Sequence, residues 1–195
     1  MVNNCCTALV IGIHREELAF GKKVAEMMAE SDIHIVQIDN GLSHERSYYR
    51  SGFYHSTIHR EMYLQLHQQL TGKKVDLVVD LHTGINETGR CADIMSADTA
   101  LLGKMDGLLK RVEKHTFSDP GEERLYEIIH ENERSTTDNS ALSVCHTIIP
   151  QKVWKSREYI YAGLEIYLRE PGQGAEPDWE YAVGLIRMLW NSLEN

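Results

Sequence analysis

Two short segments hold side chains that can bind a metal ion together. His14 and Glu17 stand three residues apart, directly after the apolar run 7–13, while His82 follows a second apolar run at 75–81. Residues three apart lie on the same side of a helical turn, so an imidazole and a carboxylate there can reach one ion. If the two runs are neighbouring strands, His82 completes a set of two histidines and one glutamate. That set is typical of catalytic zinc, because it leaves a fourth coordination position open.

Asp80 precedes His82 by two residues and therefore shares its face of the predicted strand. A carboxylate in that place can accept a hydrogen bond from the imidazole and orient it. We expect Asp80 to support the metal site from behind, without binding the ion.

A single carboxylate interrupts the apolar run 159–168, and it is Glu165. A buried charge is costly unless it is paired or used. Hydrolysis by an activated water needs a group that takes the water's proton, and a carboxylate is the usual one. We therefore predict that Glu165 is the general base, with Glu170 as the alternative. Leu164 and Ile166 should point to the opposite face of this strand.

The order of these segments resembles a known group of enzymes. An HxxE segment, a polar loop and a strand ending in DLHTG at 80–84 are similar to the zinc carboxypeptidase clan, and within it to the succinylglutamate desuccinylase and aspartoacylase family. The resemblance covers residues 8–84. It implies a zinc cofactor held by His14, Glu17 and His82, and hydrolysis of an amide bond next to a carboxylate. The clan's general base is a glutamate on a late strand, the place that Glu165 takes here.

The polar loop departs from the family pattern in part. Members show GxHGNE and DLNR segments, where this chain reads GIHREE at 12–17 and SYYR at 47–50. Arg50 then matches the family's arginine, while Tyr49 replaces its asparagine. A guanidinium suits a substrate carboxylate or a developing oxyanion. We predict Arg50 as the first substrate-binding residue and Arg46 as the second, and a substrate that differs from the family's usual ones.

Three functions stay open on the sequence. The first is a zinc-dependent amidohydrolase or carboxypeptidase-like enzyme acting on a small anionic substrate, an N-acyl amino acid or a short peptide. The second is a metal-binding domain of the same fold without hydrolytic activity. The third is an enzyme of the N-formylglutamate amidohydrolase type, with the same zinc and a different substrate pocket.

Apolar runs alternate with helical patterns along the chain. Strands are expected at 7–13, 33–38, 75–81, 92–95, 143–149 and 159–168, and helices at 16–30, 57–70 and 98–113 and from Asp178 onward. The helix at 57–70 has an apolar stripe that includes Ile58. Segment 39–56 is aperiodic, and 115–139 fits no element. This pattern predicts a three-layer α/β domain, with a central and mostly parallel mixed sheet between helices. All 195 residues should form one zinc-hydrolase-like catalytic domain, without the C-terminal β domain of similar acylases.

The composition limits partners and location. The formal net charge of −9 argues against nucleic-acid and anionic-membrane partners, which need a basic surface. No secretory signal and no apolar run long enough to span a membrane is visible in this sequence, so we expect neither a signal peptide nor a transmembrane helix. The cysteines form no CxxC pair and are expected to stay reduced, so we predict a cytoplasmic protein. The sequence leaves homo-oligomer formation open.

Overall fold

The computed structural model describes residues 6–29, 31–43, 52–86, 91–116, 126–130 and 149–194. Its strands are β1 (Thr7–Ile11), β2 (Ile33–Gln37), β3 (Leu77–Ile85), β4 (Cys91–Ser96), β5 (Tyr126–His130) and β6 (Ile160–Leu168). Its helices are α1 (Leu18–Met27), α2 (Gly52–Leu70), α3 (Thr99–Thr116), α4 (Gln151–Trp154) and α5 (Glu176–Glu194), and a 3₁₀ turn (Arg15–Glu17) precedes α1.

The strands of the described residues form one sheet in the order β2-β1-β3-β6-β4-β5. Neighbouring strands are parallel except for β4 and β6, which are antiparallel. Parallel pairing needs long crossovers, and the helices between the strands supply them. The expected mixed, mostly parallel sheet is therefore confirmed.

Helices cover both faces of this sheet. Helices α1, α3 and α5 pack on one face around an apolar cluster that includes Leu164 and Ile166. Helices α2 and α4 pack on the other face, with Tyr63 and Trp154 among the buried side chains. Burial on both sides explains why all five positions of β1 are buried and why the four that follow Thr7 are apolar, rather than alternating. The result is the predicted three-layer arrangement.

Several elements differ from the sequence pattern at their ends. Helix α2 begins at Gly52, and β5 lies inside a segment that fitted no element. The inward stripe of α2 is rotated, because Ile58 is 39% exposed while His59 and Tyr63 are buried. The predicted strand at 143–149 lies outside the described residues, except for its last residue. No helix in the described part of the chain is long and apolar enough to cross a membrane.

Candidate metal centre

A sharp turn after β1 places His14. Gly12 has a φ of +84°, and a Cβ atom there would lie 2.5 Å from the carbonyl oxygen of Ile38, so only glycine fits. His14 then has an extended backbone and precedes the 3₁₀ turn, in which the Glu17 amide donates to the His14 carbonyl at 3.1 Å. This single turn brings the two side chains to the same side.

The chain after β2 clasps that turn. The Arg15 amide donates to the Leu42 carbonyl, and the Leu42 amide donates to the Ile13 carbonyl, both at 2.8 Å. A side chain on Gly41 would collide with the carbonyl oxygen of Gly12, so the two segments can approach this closely only with glycine. The backbone around His14 is therefore held from both directions.

His82 lies where β3 runs past the end of β1. The pairing of the two strands stops at Ile11 and Leu81, whereas β3 goes on pairing with β6 as far as Ile85. The two strands are neighbours, as the metal-site prediction required. His82 lies inside β3 and not beyond its end, because β3 continues to pair with β6 after its pairing with β1 has stopped. One flank of His82 thus faces the His14 turn, and the other faces β6.

The three candidate ligands converge on one point. Glu17 is 4% exposed, and its carboxylate lies 3.2 Å from Nδ1 of His14 and 2.9 Å from Nδ1 of His82. One ligand atom from each residue lies within 4.8 Å of the others. Two imidazole nitrogens and a carboxylate oxygen are the donors that zinc prefers in open sites, so the residues fit that ion.

Opposite charges decide the protonation of this cluster. Burial alone would raise the pKa of Glu17, but hydrogen bonds from His14 and His82 hold it well below its usual range. Burial alone would lower the pKa of His82, yet the charges and hydrogen bonds of Asp80 and Glu17 raise it well above its usual value. The centre therefore favours positive charge between two buried carboxylates.

Glu165 stands beside His82 in the sheet. It pairs with His82 of β3 on one side and with Asp93 of β4 on the other. Paired residues share a face, and Leu164 and Ile166 are buried on the opposite one, as expected. Burial raises the pKa of Glu165; the charges of His82 and His14 act against this rise, and that of Asp93 adds to it. Glu170, the alternative base, is exposed beyond the end of β6.

The Glu165 carboxylate occupies space that a glycine leaves open. A Cβ atom on Gly84 would lie 2.8 Å from Oε1 of Glu165 and 2.5 Å from a ring carbon of Tyr167. The Tyr167 hydroxyl donates to Oδ2 of Asp93 at 2.8 Å. Tyr167 and Glu165 thus lie side by side over Gly84. Arg46 and Arg50, the predicted substrate-binding residues, lie outside the described residues.

Sequence reasoning missed three aromatic residues around the centre. The ring of His59 stacks on that of His14, with centroids 5.7 Å apart, and Tyr63 and Tyr161 both donate to Asp80. The i, i+4 spacing of His59 and Tyr63 puts them on one face of α2, and this was the available signal. Tyr161 shares the Glu165 face by strand alternation.

Comparison with solved structures identifies the fold. A point mutant of murine aminoacylase 3 is similar over 98% of this chain and 64% of that one, with a TM-score of 0.52 and 14% identity. Succinylglutamate desuccinylase from Vibrio parahaemolyticus is similar over 100% and 66% (TM-score 0.47, 13% identity), and a metallo-carboxypeptidase from Burkholderia cenocepacia over 98% and 57% (TM-score 0.43, 11% identity).

The chain shares the α/β fold of murine aminoacylase 3, and the resemblance noted in the sequence is confirmed at the level of fold. It spans about two thirds of the length of the aminoacylase 3 chain. No family model matches the sequence, and no curated protein matches it.

Proposed function

We propose that this chain is a zinc-dependent hydrolase that cleaves an amide bond in a small carboxylate-bearing substrate, an N-acyl amino acid or a short peptide. The observation that carries the proposal is the convergence of His14, Glu17 and His82 within 4.8 Å, beside a carboxylate paired in register with His82. A strand carboxylate beside the candidate ligands favours catalysis over metal binding alone. The similar murine aminoacylase 3 agrees with the reaction class.

In this proposal His14, Glu17 and His82 hold the ion. Zinc bound there would supply a Lewis acid, which polarises a carbonyl and lowers the pKa of a water molecule. Asp80 lies 3.0 Å from Nε2 of His82 and keeps the ring oriented from behind.

Glu165 is the proposed general base. Its carboxylate accepts a proton from the attacking water and returns it to the leaving amine nitrogen, so that the amide bond breaks with a balanced proton count. Its place on the strand next to His82 puts the base beside the metal ligands. Arg50 is proposed to bind the substrate's carboxylate through charge-assisted hydrogen bonds, with Arg46 as the second choice.

Metal analysis is the first test. Protein purified without added metal should contain about one zinc per chain, and His82→Ala should lose it while the fold is retained. His34→Ala, an exposed change on edge strand β2, is the matched control. A full equivalent of zinc in His82→Ala would show that the ligand assignment is wrong.

A substrate screen is the second test. The zinc-loaded protein should hydrolyse at least one member of a panel of N-acyl amino acids that includes N-formylglutamate. Turnover of N-formylglutamate alone would favour the N-formylglutamate amidohydrolase type. Stoichiometric zinc without turnover of any member, including short peptides, would favour the metal-binding domain without hydrolytic activity.

A further inference from the structure

A buried polar cluster lies behind His82, on the side away from Glu17. Its centre is Asp80, which is 0% exposed. Tyr63 reaches it from α2 and Tyr161 from β6, and both tyrosines are almost completely buried. The cluster thus joins the helix layer to the two central strands, directly beneath a candidate metal ligand.

Three polar groups of the cluster meet at one oxygen atom. Oδ2 of Asp80 accepts from the hydroxyl of Tyr63 at 2.6 Å and from the hydroxyl of Tyr161 at 2.5 Å. The same oxygen lies 3.0 Å from Nε2 of His82. Oδ1 of Asp80 has no hydrogen-bond partner within the described part of the chain. The position of this carboxylate therefore depends on the donors around Oδ2.

The terminal torsion of an aspartate is intrinsically broad, so the carboxylate needs external contacts to hold one orientation. We propose that Tyr63 and Tyr161 are positioning residues of the metal centre, and that they hold Oδ2 of Asp80 against Nε2 of His82. The inference rests on the proposed function, since it assigns these hydroxyls a purpose that only a metal site requires.

The consequence for His82 follows from its two ring nitrogens. A proton kept on Nε2 by the carboxylate leaves the Nδ1 lone pair for a metal ion, and it fixes the plane of the ring. Nδ1 is the atom that faces Glu17, at 2.9 Å. Loss of a hydroxyl loosens Asp80, lets the ring turn, and weakens the metal site without removing any ligand.

The two tyrosines are not equivalent. Tyr63 also lies 3.5 Å from Nε2 of His82, and its ring contacts that of His59, which stacks on His14. Tyr161 bonds to the carboxylate and packs against Trp154. Tyr63→Phe should therefore have an effect at least as large as that of Tyr161→Phe.

Zinc affinity, measured by competition with a chromogenic chelator, tests the inference without any substrate. Tyr63→Phe and Tyr161→Phe should each weaken zinc binding about 10-fold or more, the usual effect of losing a partner behind a metal ligand. Tyr159→Phe is the matched control. Its hydroxyl lies 2.9 Å from Nδ1 of His67 in the same interface between α2 and the sheet. Tyr159→Phe therefore removes an equivalent hydrogen bond away from the candidate metal centre.

A double-mutant cycle separates positioning from general stability. In an Asp80→Asn background, Tyr161→Phe should change zinc affinity by clearly less than it does alone, because both changes act through one carboxylate. The absorption spectrum of the cobalt-substituted protein should shift in Tyr63→Phe and Tyr161→Phe and stay unchanged in Tyr159→Phe.

The outcomes distinguish the two proposals. A native protein that binds no zinc would overturn the proposed function. A native protein that binds zinc, with folded Tyr63→Phe and Tyr161→Phe that bind it equally tightly, would overturn this inference alone. Failure of both variants to fold would assign the hydroxyls to the scaffold and would also overturn it.

Discussion

The two faces of the sheet carry different kinds of side chain. The face under α1, α3 and α5 is an apolar cluster in which strand residues such as Leu164 and Ile166 are completely buried. The face under α2 and α4 is apolar near the starts of β3 and β6. Further along the two strands it is polar, with Asp80, His82 and Glu165. Successive residues of one strand thus alternate between the apolar core and the proposed active site, and the two roles should be separable by mutation.

The largest expected effect is that of Glu165→Gln on the polar face. The amide keeps the shape of the side chain and cannot accept the proton, so kcat should fall by about 10²–10⁴-fold with zinc content unchanged. Glu170→Gln, an exposed change just past the same strand, is the control and should leave kcat unaltered. A Glu165→Gln variant with native kcat would remove Glu165 from the mechanism.

Leu164→Ala tests the opposite face, one residue away. Removing a fully buried leucine should lower the free energy of unfolding by about 2–5 kcal/mol, as measured by denaturant titration. The folded variant should bind zinc as the native protein does. If zinc binding weakened along with stability, the two faces would not be independent.

Gly84→Ala should disturb the polar face without removing any functional group. The new methyl group would lie 2.8 Å from Oε1 of Glu165 and 2.5 Å from the Tyr167 ring, so both side chains must shift. A displacement of about 1 Å at a reacting group can cost about 10²-fold, and we expect kcat to fall by up to that factor. Gly103→Ala on α3, which has open space around it, controls for the added methyl. An unchanged kcat in Gly84→Ala would mean that Glu165 tolerates displacement.

Arg50→Ala should give the smallest effect of the series. Loss of a charge-assisted pair with the substrate should lower kcat/KM by a factor that corresponds to about 2 kcal/mol of lost transition-state stabilisation, with little change in melting temperature. Arg46→Ala in parallel tests the second choice. A large drop in melting temperature with intact kinetics would assign Arg50 to the scaffold instead.

The fold could be predicted from sequence because short apolar runs alternate with longer helical patterns along the chain. β1 is buried at all five positions and β6 at six of nine, and their short length separates such apolar runs from the longer helical patterns. The antiparallel pairing of β4 with β6 could not be predicted, since strand order depends on contacts distant in sequence. β5 was missed because the segment around it shows no period.

The candidate site divides in the same way. His14, Glu17 and His82 could be located because each follows an apolar run in sequence. Tyr63 could not be located, because the apolar stripe through Ile58 predicted a different inward face for α2. Its hydrogen-bond acceptor, the buried Asp80, also lies on a separate element. Local patterns thus give the candidate ligands, and tertiary contacts decide what supports them.

The clasp around His14 has a consequence for the entropy of metal uptake. The backbone bonds between Leu42 and the turn at 13–15, together with the close approach of Gly41 to Gly12, hold that loop through contacts that involve no ion. A preorganised loop loses little conformational freedom on binding, so most of the gross interaction energy should remain as affinity. The amide protons of Arg15 and Leu42 should then exchange slowly with solvent in metal-free and metal-loaded protein alike, as expected for a segment that opens only with the surrounding sheet.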